Sequence, residues 1–289
     1  MIGRSGFEAV AAALGETGFR PRDIRCLSVR PAAMAPRASY RVGLACGATV
    51  KVRRMESGEA ARQQQHRRAG LPPGFTRVLA RAGAFLIEEW IDGRPLTDAA
   101  PAAPLLDQAG RLLAALHAVA APGEPQGPTV AGWADATRAR LGTLREAGVL
   151  DAATTATLIA IVTADTPGAE PAHRLVHTDV CGENLVVTPQ GHLYAVDNEH
   201  MAIDAPGLDL GRSWYRWGLG DADWVRVRTA YRTAGGPDDA VAHEPFWRIA
   251  GTAISACIRL RGSRTGLAVP LDRLRELACP HARREQPWA

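Results

Sequence analysis

Lysine is almost missing from this 289-residue chain: Lys51 is the only one among 34 basic residues, so the rest are arginine. Asparagine is nearly as scarce, confined to Asn184 and Asn198. The five cysteines, at 26, 46, 181, 257 and 279, are odd in number and widely spaced, with no Cys-x-x-Cys pair. That pattern implies no disulfide framework and suits a reduced, cytoplasmic protein. No apolar run approaches the ~18 residues that would cross a bilayer. Glu8 and Glu16 bracket the apolar patch at 9–14 too closely for a signal segment, so no membrane association is expected. A net charge of +4 and a pI near 9.0 come without any nucleic-acid-binding signature, and the arginines are spread along the chain. No nucleic-acid partner is expected, and the oligomeric state is left open.

What is present points to a folded enzyme. Hydrophobic residues make up 46% and charged residues 22%, an ordinary globular balance, and the length is enough for two lobes. Residues 5–18 carry Phe7, Val10, Ala11 and Leu14 at helical spacing, with Gly18 as a stop. Short β-favouring runs follow at 25–30, 38–44, 48–53, 76–80 and 85–91, separated by Pro and Gly. An Ala-, Gln-, Arg- and Glu-rich helix at 56–69 interrupts them. After residue 92 the pattern turns helical: Leu105, Leu106, Ala109, Leu112, Leu113 and Leu116 form one stripe, and further helices are expected near 131–147 and 151–164. A brief β region at 175–177, 184–187 and 193–196 precedes a helical remainder. The expected fold is α+β: an N-terminal lobe over 1–91, made of a small antiparallel sheet and one helix, and a larger, mainly helical lobe over 92–289.

The chemistry concentrates at His177-x-Asp179-x4-Asn184, followed by Asp197 at the end of the next strand. Magnesium takes one or two carboxylates and completes its shell with phosphate and water. Asn184 and Asp197 suit that task, which leaves Asp179 to accept or orient the proton of an attacking hydroxyl. The competing reading is a surface hairpin in which Asp and Asn serve turns and caps for purely local reasons. Spacing alone does not choose between them.

This segment resembles the catalytic and metal-binding loops of the aminoglycoside phosphotransferase and choline kinase-like family, relatives of the protein kinases. The resemblance implies a bilobal protein kinase-like fold, ATP or GTP as donor with Mg2+, and a small hydroxylated acceptor such as a sugar, amino alcohol, antibiotic or other metabolite. It implies Asp179 as catalytic base, His177 as support of the loop, and Asn184 and Asp197 as magnesium ligands. The segment Ile203-Asp204-Ala205-Pro206-Gly207-Leu208-Asp209-Leu210 is similar to the family's downstream motif, where the second acid, here Asp209, braces the catalytic loop. In the first lobe Lys51 falls on the strand that would present a phosphate-binding lysine, with Glu59 as its helical partner. The run 85–93 is similar to the hinge that pairs with the purine edge, so Glu89, Trp90 and Ile91 would line the nucleotide. Leu116-His117 echoes a motif of these kinases and reads equally well as a satisfied helix-end histidine.

Several positions depart from the family pattern. Thr178 stands where glycine is frequent, Cys181-Gly182-Glu183 replaces the usual tripeptide, and Asn198 replaces an aromatic residue. The turn at 30–39, which would cover the nucleotide, has no glycine, and Ser39 is its one candidate donor. Glu199 either extends the metal site, touches the acceptor or caps a turn. Cys181 reads as packing. His173, His177 and Cys181 have the spacing of a helical zinc site, which the strand-like character of 175–176 disfavours. Trp214, Tyr215, Trp217 and Trp224 read as core more readily than as a wall for the acceptor. The segment after Leu210 is more basic than acidic, although Asp221, Asp223, Asp238, Asp239 and Glu244 could form a local acidic rim, so polycationic acceptors are not favoured. The functional alternatives are a non-catalytic nucleotide-binding regulatory module and a protein kinase.

Overall fold

A computed structural model describes residues 4–30, 37–97, 102–120, 125 and 127–279. In chain order the elements are α1 (Arg4–Glu16), β1 (Pro21–Arg30), β2 (Arg37–Leu44), β3 (Thr49–Arg54), α2 (Gly58–Arg67), β4 (Val78–Ala82), β5 (Phe85–Glu89), β6 (Arg94–Pro95), α3 (Ala103–His117), α4 (Val130–Glu146) and α5 (Ala152–Ala164). Then come β7 (Arg174–Val176), β8 (Leu185–Val187), β9 (Leu193–Ala195), β10 (Ala202–Asp204), α6 (Pro206–Trp217), α7 (Asp221–Thr233), α8 (Asp239–Ala242), α9 (Glu244–Arg261) and α10 (Ala268–Ala278). Short 3-10 turns occupy Gly182–Asn184 and Asn198–His200. The chain divides into two compact units, residues 1–96 with 185–201 and residues 97–184 with 202–289.

The first unit is built on a five-stranded antiparallel sheet of order β1-β2-β3-β5-β4, with α2 between β3 and β4 as the sequence predicts. The two-residue period of the strands sorts its faces. Tyr40 and Val42 of β2, Val50 and Val52 of β3 and Ile87 of β5 pack with Val10 and Leu14 of α1 into one apolar cluster. The intervening Lys51 and Arg53 therefore take the opposite face, where Lys51 is the register partner of Glu88. Helix α2 starts at Ser57, whose hydroxyl accepts from Ala60 N at 3.1 Å, and it buries Ala61 and Gln64.

The first unit takes in a later segment, residues 185–201, that the expected lobe over 1–91 does not include. The hairpin β8–β9 packs with the first unit instead of the second, because β8 pairs with β6, Ala195 bridges Phe75, and the Asn198 amide bonds Thr76. Gly93 makes the β6 approach feasible, since a side chain there would meet the Val187 carbonyl at 2.4 Å.

In the second unit Leu106, Ala109, Leu112, Leu113 and Leu116 of α3 are buried as the stripe predicts, and α3 packs on α7. Asp151 caps α5 by accepting from Thr154 N at 2.8 Å. Strands β7 and β10 form a two-stranded antiparallel ribbon, Val176 opposite Ala202, that leads into α6. Helix α6 lies close on α9 because Gly211 has no side chain: a Cβ there would stand 2.2 Å from the Trp247 carbonyl oxygen. Trp214, Tyr215 and Trp224 are core residues, with Arg248 at 4.5 Å and Arg273 at 5.0 Å from the Trp214 ring centre. Among the described residues no helix is long and apolar enough to cross a membrane.

Candidate active site

The second unit holds the loop 177–184 by its backbone. The buried Asp209, in the first turns of α6, accepts from His177 N through Oδ2 and from Thr178 N through Oδ1, each at 2.8 Å. Its Oδ2 also lies 3.2 Å from His117 Nε2, and His117 Nδ1 lies 2.8 Å from the Tyr231 hydroxyl. Burial opposes the Asp209 charge, but the hydrogen bond and electrostatic pull of His117, then of His177, outweigh it and hold the carboxyl below its ordinary range. Thr178 has φ 67°, a left-handed conformation costly for a β-branched residue. With Asp209 accepting from its N–H and Arg212 Nε donating to its carbonyl, that conformation is fixed from both sides.

Past the clamp, Asp179 N donates to His177 Nδ1 at 3.3 Å. Asn184, in the 3-10 turn, donates through Nδ2 to the Asp179 carbonyl at 2.9 Å and to Asp179 Oδ2 at 3.1 Å. Asp179 Oδ1 faces Arg216 Nε at 3.1 Å and Arg212 Nη2 at 3.8 Å. The Asp179 carboxylate is partly exposed. Cys181 is buried, and burial pushes its thiol pKa up, which argues for packing over nucleophilic chemistry. Among the described residues no group of three or more His, Cys, Asp or Glu could hold a metal ion, so the zinc reading gains nothing.

The first unit holds its polar groups by their side chains. Lys51 Nζ stands 3.0 Å from Asp197 Oδ1. Arg53, only 4% exposed, donates through Nη2 to the same Asp197 oxygen and through Nη1 to Glu199 Oε2, and its Nε lies 3.6 Å from Glu88 Oε2. Glu88 is bound in turn by Arg68, which also donates to the Thr76 carbonyl at 3.0 Å. Burial works against each of these charges, and opposite charges win in each case. Glu88 is held below the carboxylate range by Arg68 and Arg53, and Asp197 far below it by Arg53 and Lys51. Glu199 is held at about 2 by the His200 hydrogen bond and Arg53, while Arg53 is pushed up by its three carboxylates. A small polar cavity of about 100 Å³ is lined by Ser39, Lys51, Arg53, Asp197 and Glu199 among others, which brings four of the sequence-selected residues together.

Other expectations fare differently. Glu59 is not the partner of Lys51. It sits on the outer face of α2, 53% exposed, and its carboxylate is taken by Arg62 and by Gln63 Nε2 at 2.9 Å. The inward positions are Ala61 and Gln64, the latter donating to the Met201 carbonyl at 3.1 Å. Glu89 is bound by Arg77 through its backbone N at 3.0 Å and Nε at 2.9 Å, and Trp90 donates to Asp92 at 2.9 Å beneath the Arg41 guanidinium. Ile91 is half-buried just beyond β5. Residues 31–36 of the glycine-free turn lie outside the described residues. Sequence reasoning missed Arg53, Arg68 and Glu88. The one signal available was strand alternation, which puts Arg53 on the same face as Lys51.

Asp197 is an ionised oxygen donor of the kind that magnesium takes, and both cations engage its Oδ1. The chain is similar in fold to a macrolide 2'-phosphotransferase from Brachybacterium faecium, at 16% identity over 94% of this chain and 98% of that one, with a TM-score of 0.67. It is similar as well to a choline kinase from Streptococcus pneumoniae (12% identity, 96% and 100% covered, TM-score 0.66) and to a thermostable mutant of an aminoglycoside phosphotransferase (16%, 93% and 98%, 0.65). No curated protein matches the sequence significantly. A model described as the phosphotransferase enzyme family matches residues 45–246, which span both the Lys51 strand and the 177–209 loops, and the chain belongs to that family.

Proposed function

We propose that this protein is a cytoplasmic small-molecule kinase that transfers the γ-phosphoryl group of ATP or GTP to a hydroxyl of a metabolite, sugar, amino alcohol or antibiotic. The observation that carries this reading is Asp179: a partly exposed carboxylate, oriented by Asn184, on a loop whose peptide groups are clamped by Asp209 and Arg212. Exposure and orientation of this kind support a hydroxyl-receiving role over a turn cap. Phosphoryl transfer asks for positioning and charge neutralisation more than for a protein nucleophile.

In the proposed reaction the hydroxyl oxygen of the acceptor bonds to the γ-phosphorus as the bridging bond to the β-phosphate breaks. The electron pair leaves with the nucleoside diphosphate, and the hydroxyl proton passes to Asp179. Lys51 contacts phosphate, with Ser39 as a further donor, and Glu89, Trp90 and Ile91 lie along the purine-binding stretch. Asn184 and Asp197 would hold magnesium, with Glu199 kept beside Asp197 through Arg53. Magnesium, when bound, neutralises charge on the phosphates. The five free cysteines support a reducing compartment.

Nucleotide consumption against a panel of hydroxylated compounds tests the reading. D179A is expected to lose about 10²–10⁴ in rate while magnesium-nucleotide binding persists. Unchanged turnover in D179A would remove Asp179 from the chemistry. Nucleotide binding without consumption by the wild type across the panel would favour the regulatory module.

A further inference from the structure

Two arginines crowd the carboxylate that the proposed reaction uses. Arg212 and Arg216 are one turn apart on α6, and both approach Asp179 Oδ1, at 3.8 and 3.1 Å. Arg212 is committed to the loop through its donation to the Thr178 carbonyl. Arg216 is less so. Its Nη2 lies 3.5 Å from the Cys181 sulfur and 3.5 Å from Glu183, whose side chain is 74% exposed and thus well screened by water. Two guanidiniums therefore share one firmly held carboxylate.

Three of the five acids that could have made this region attractive to amines have partners of their own. Glu244 accepts from Trp224, Arg228 and Arg248. Asp238 lies 3.4 Å from Arg232, and Asp239 accepts from Ala172 N at 3.3 Å. A cationic acceptor offering its hydroxyl to Asp179 would meet two like charges, whereas an anionic one would meet the planar fork that matches carboxylate or phosphate.

We infer that the acceptor is a hydroxylated acid, a small molecule carrying a carboxylate or phosphate a few bonds from the reacting hydroxyl, with Arg216 reading the acid and Arg212 holding the loop. This rests on the kinase reading above and names the substrate class for that same site. The bonds made and broken are those already given. The acid group takes no part beyond pairing with Arg216, which then bridges it and Asp179.

Matched acceptors test the inference by kcat/KM: D-gluconate against sorbitol, D-glycerate against glycerol, and glycerol 3-phosphate against glycerol, with choline and kanamycin as cations. The first two pairs report a carboxylate and the third a phosphate. In the wild type the acid of at least one pair is expected to exceed its neutral partner by at least about tenfold. R216Q is expected to bring that ratio toward one through KM, with R216K keeping part of it and both retaining the wild-type melting temperature. A purely structural Arg216 would lower turnover of acid and neutral acceptors alike and leave their ratio unchanged, which overturns the proposal. So would faster transfer to choline or kanamycin than to any acid, or no transfer to any acid by a protein that binds magnesium-nucleotide. Failure to bind nucleotide at all overturns the kinase reading instead.

Discussion

The loop at 177–184 and the charged face of the β-sheet are organised in opposite ways. The loop is fixed through peptide groups: Asp209 takes two N–H groups, Arg212 one carbonyl, and His177 the Asp179 N–H, all within residues 177–212. The sheet face is fixed through side chains from places far apart in the chain, Lys51, Arg53, Arg68, Glu88, Asp197 and Glu199. A backbone clamp depends on the side chains that make it and not on those of the residues it holds. A buried ion cluster holds only while every partner is present, because each loss leaves an unpaired charge in a poorly solvated place.

Removing the hub of the cluster is therefore the largest expected break. R53M keeps volume but leaves Glu88, Asp197 and Glu199 without their shared cation, and it should destabilise the protein by about 3–5 kcal/mol, read by chemical denaturation. A loss under about 1 kcal/mol would show that the cluster does not depend on its hub.

D209N attacks the clamp. It keeps one acceptor oxygen for two N–H groups and loses the charge facing His117, so a loss of about 2–3 kcal/mol is expected. The sign of its pH dependence follows from the depressed pKa of Asp209. Its stabilisation is complete above the unfolded value near ~4 and is lost as pH falls through the folded value. Melting temperature measured downward from about pH 5 should thus fall less steeply in D209N than in the wild type. Parallel slopes would mean that Asp209 contributes no proton linkage.

The smallest effect is expected at Glu59. E59A removes only exposed contacts within α2, so stability should change by less than about 0.5 kcal/mol and magnesium-nucleotide affinity should stay the same. A tenfold loss of affinity, measured by calorimetry, would restore Glu59 as a partner of Lys51.

The same contrast explains what could be read in advance. Tyr40, Val42, Val50 and Val52 mark strands by a two-residue period, and the α3 leucines mark a helix by theirs, so the element order was legible. The loop was legible too, since His177, Asp179 and Asn184 lie within one short stretch and Asp209 within one recognisable motif. Illegible were the partners chosen across long separations. Glu59 and Gln64 are both polar residues of one helix, and which of them faces inward depends on how α2 is rolled against the sheet. Asn198, an oddity in the sequence, is satisfied by Thr76, more than a hundred residues away.

By itself the sequence determined the two classes of unit and the order of most strands and helices up to residue 204, and it singled out side chains of the types that a proton, a phosphate or a divalent ion would need. Periodicity and local spacing carry that information because they act within a few residues. Only the tertiary structure decided that Asp197 answers to Lys51 and Arg53, that Glu88 anchors two arginines, that the 185–201 segment belongs with the first unit, and that Asp179 is flanked by Arg212 and Arg216. Burial sets which charges must find partners, and strand register and helix packing set which partners they find.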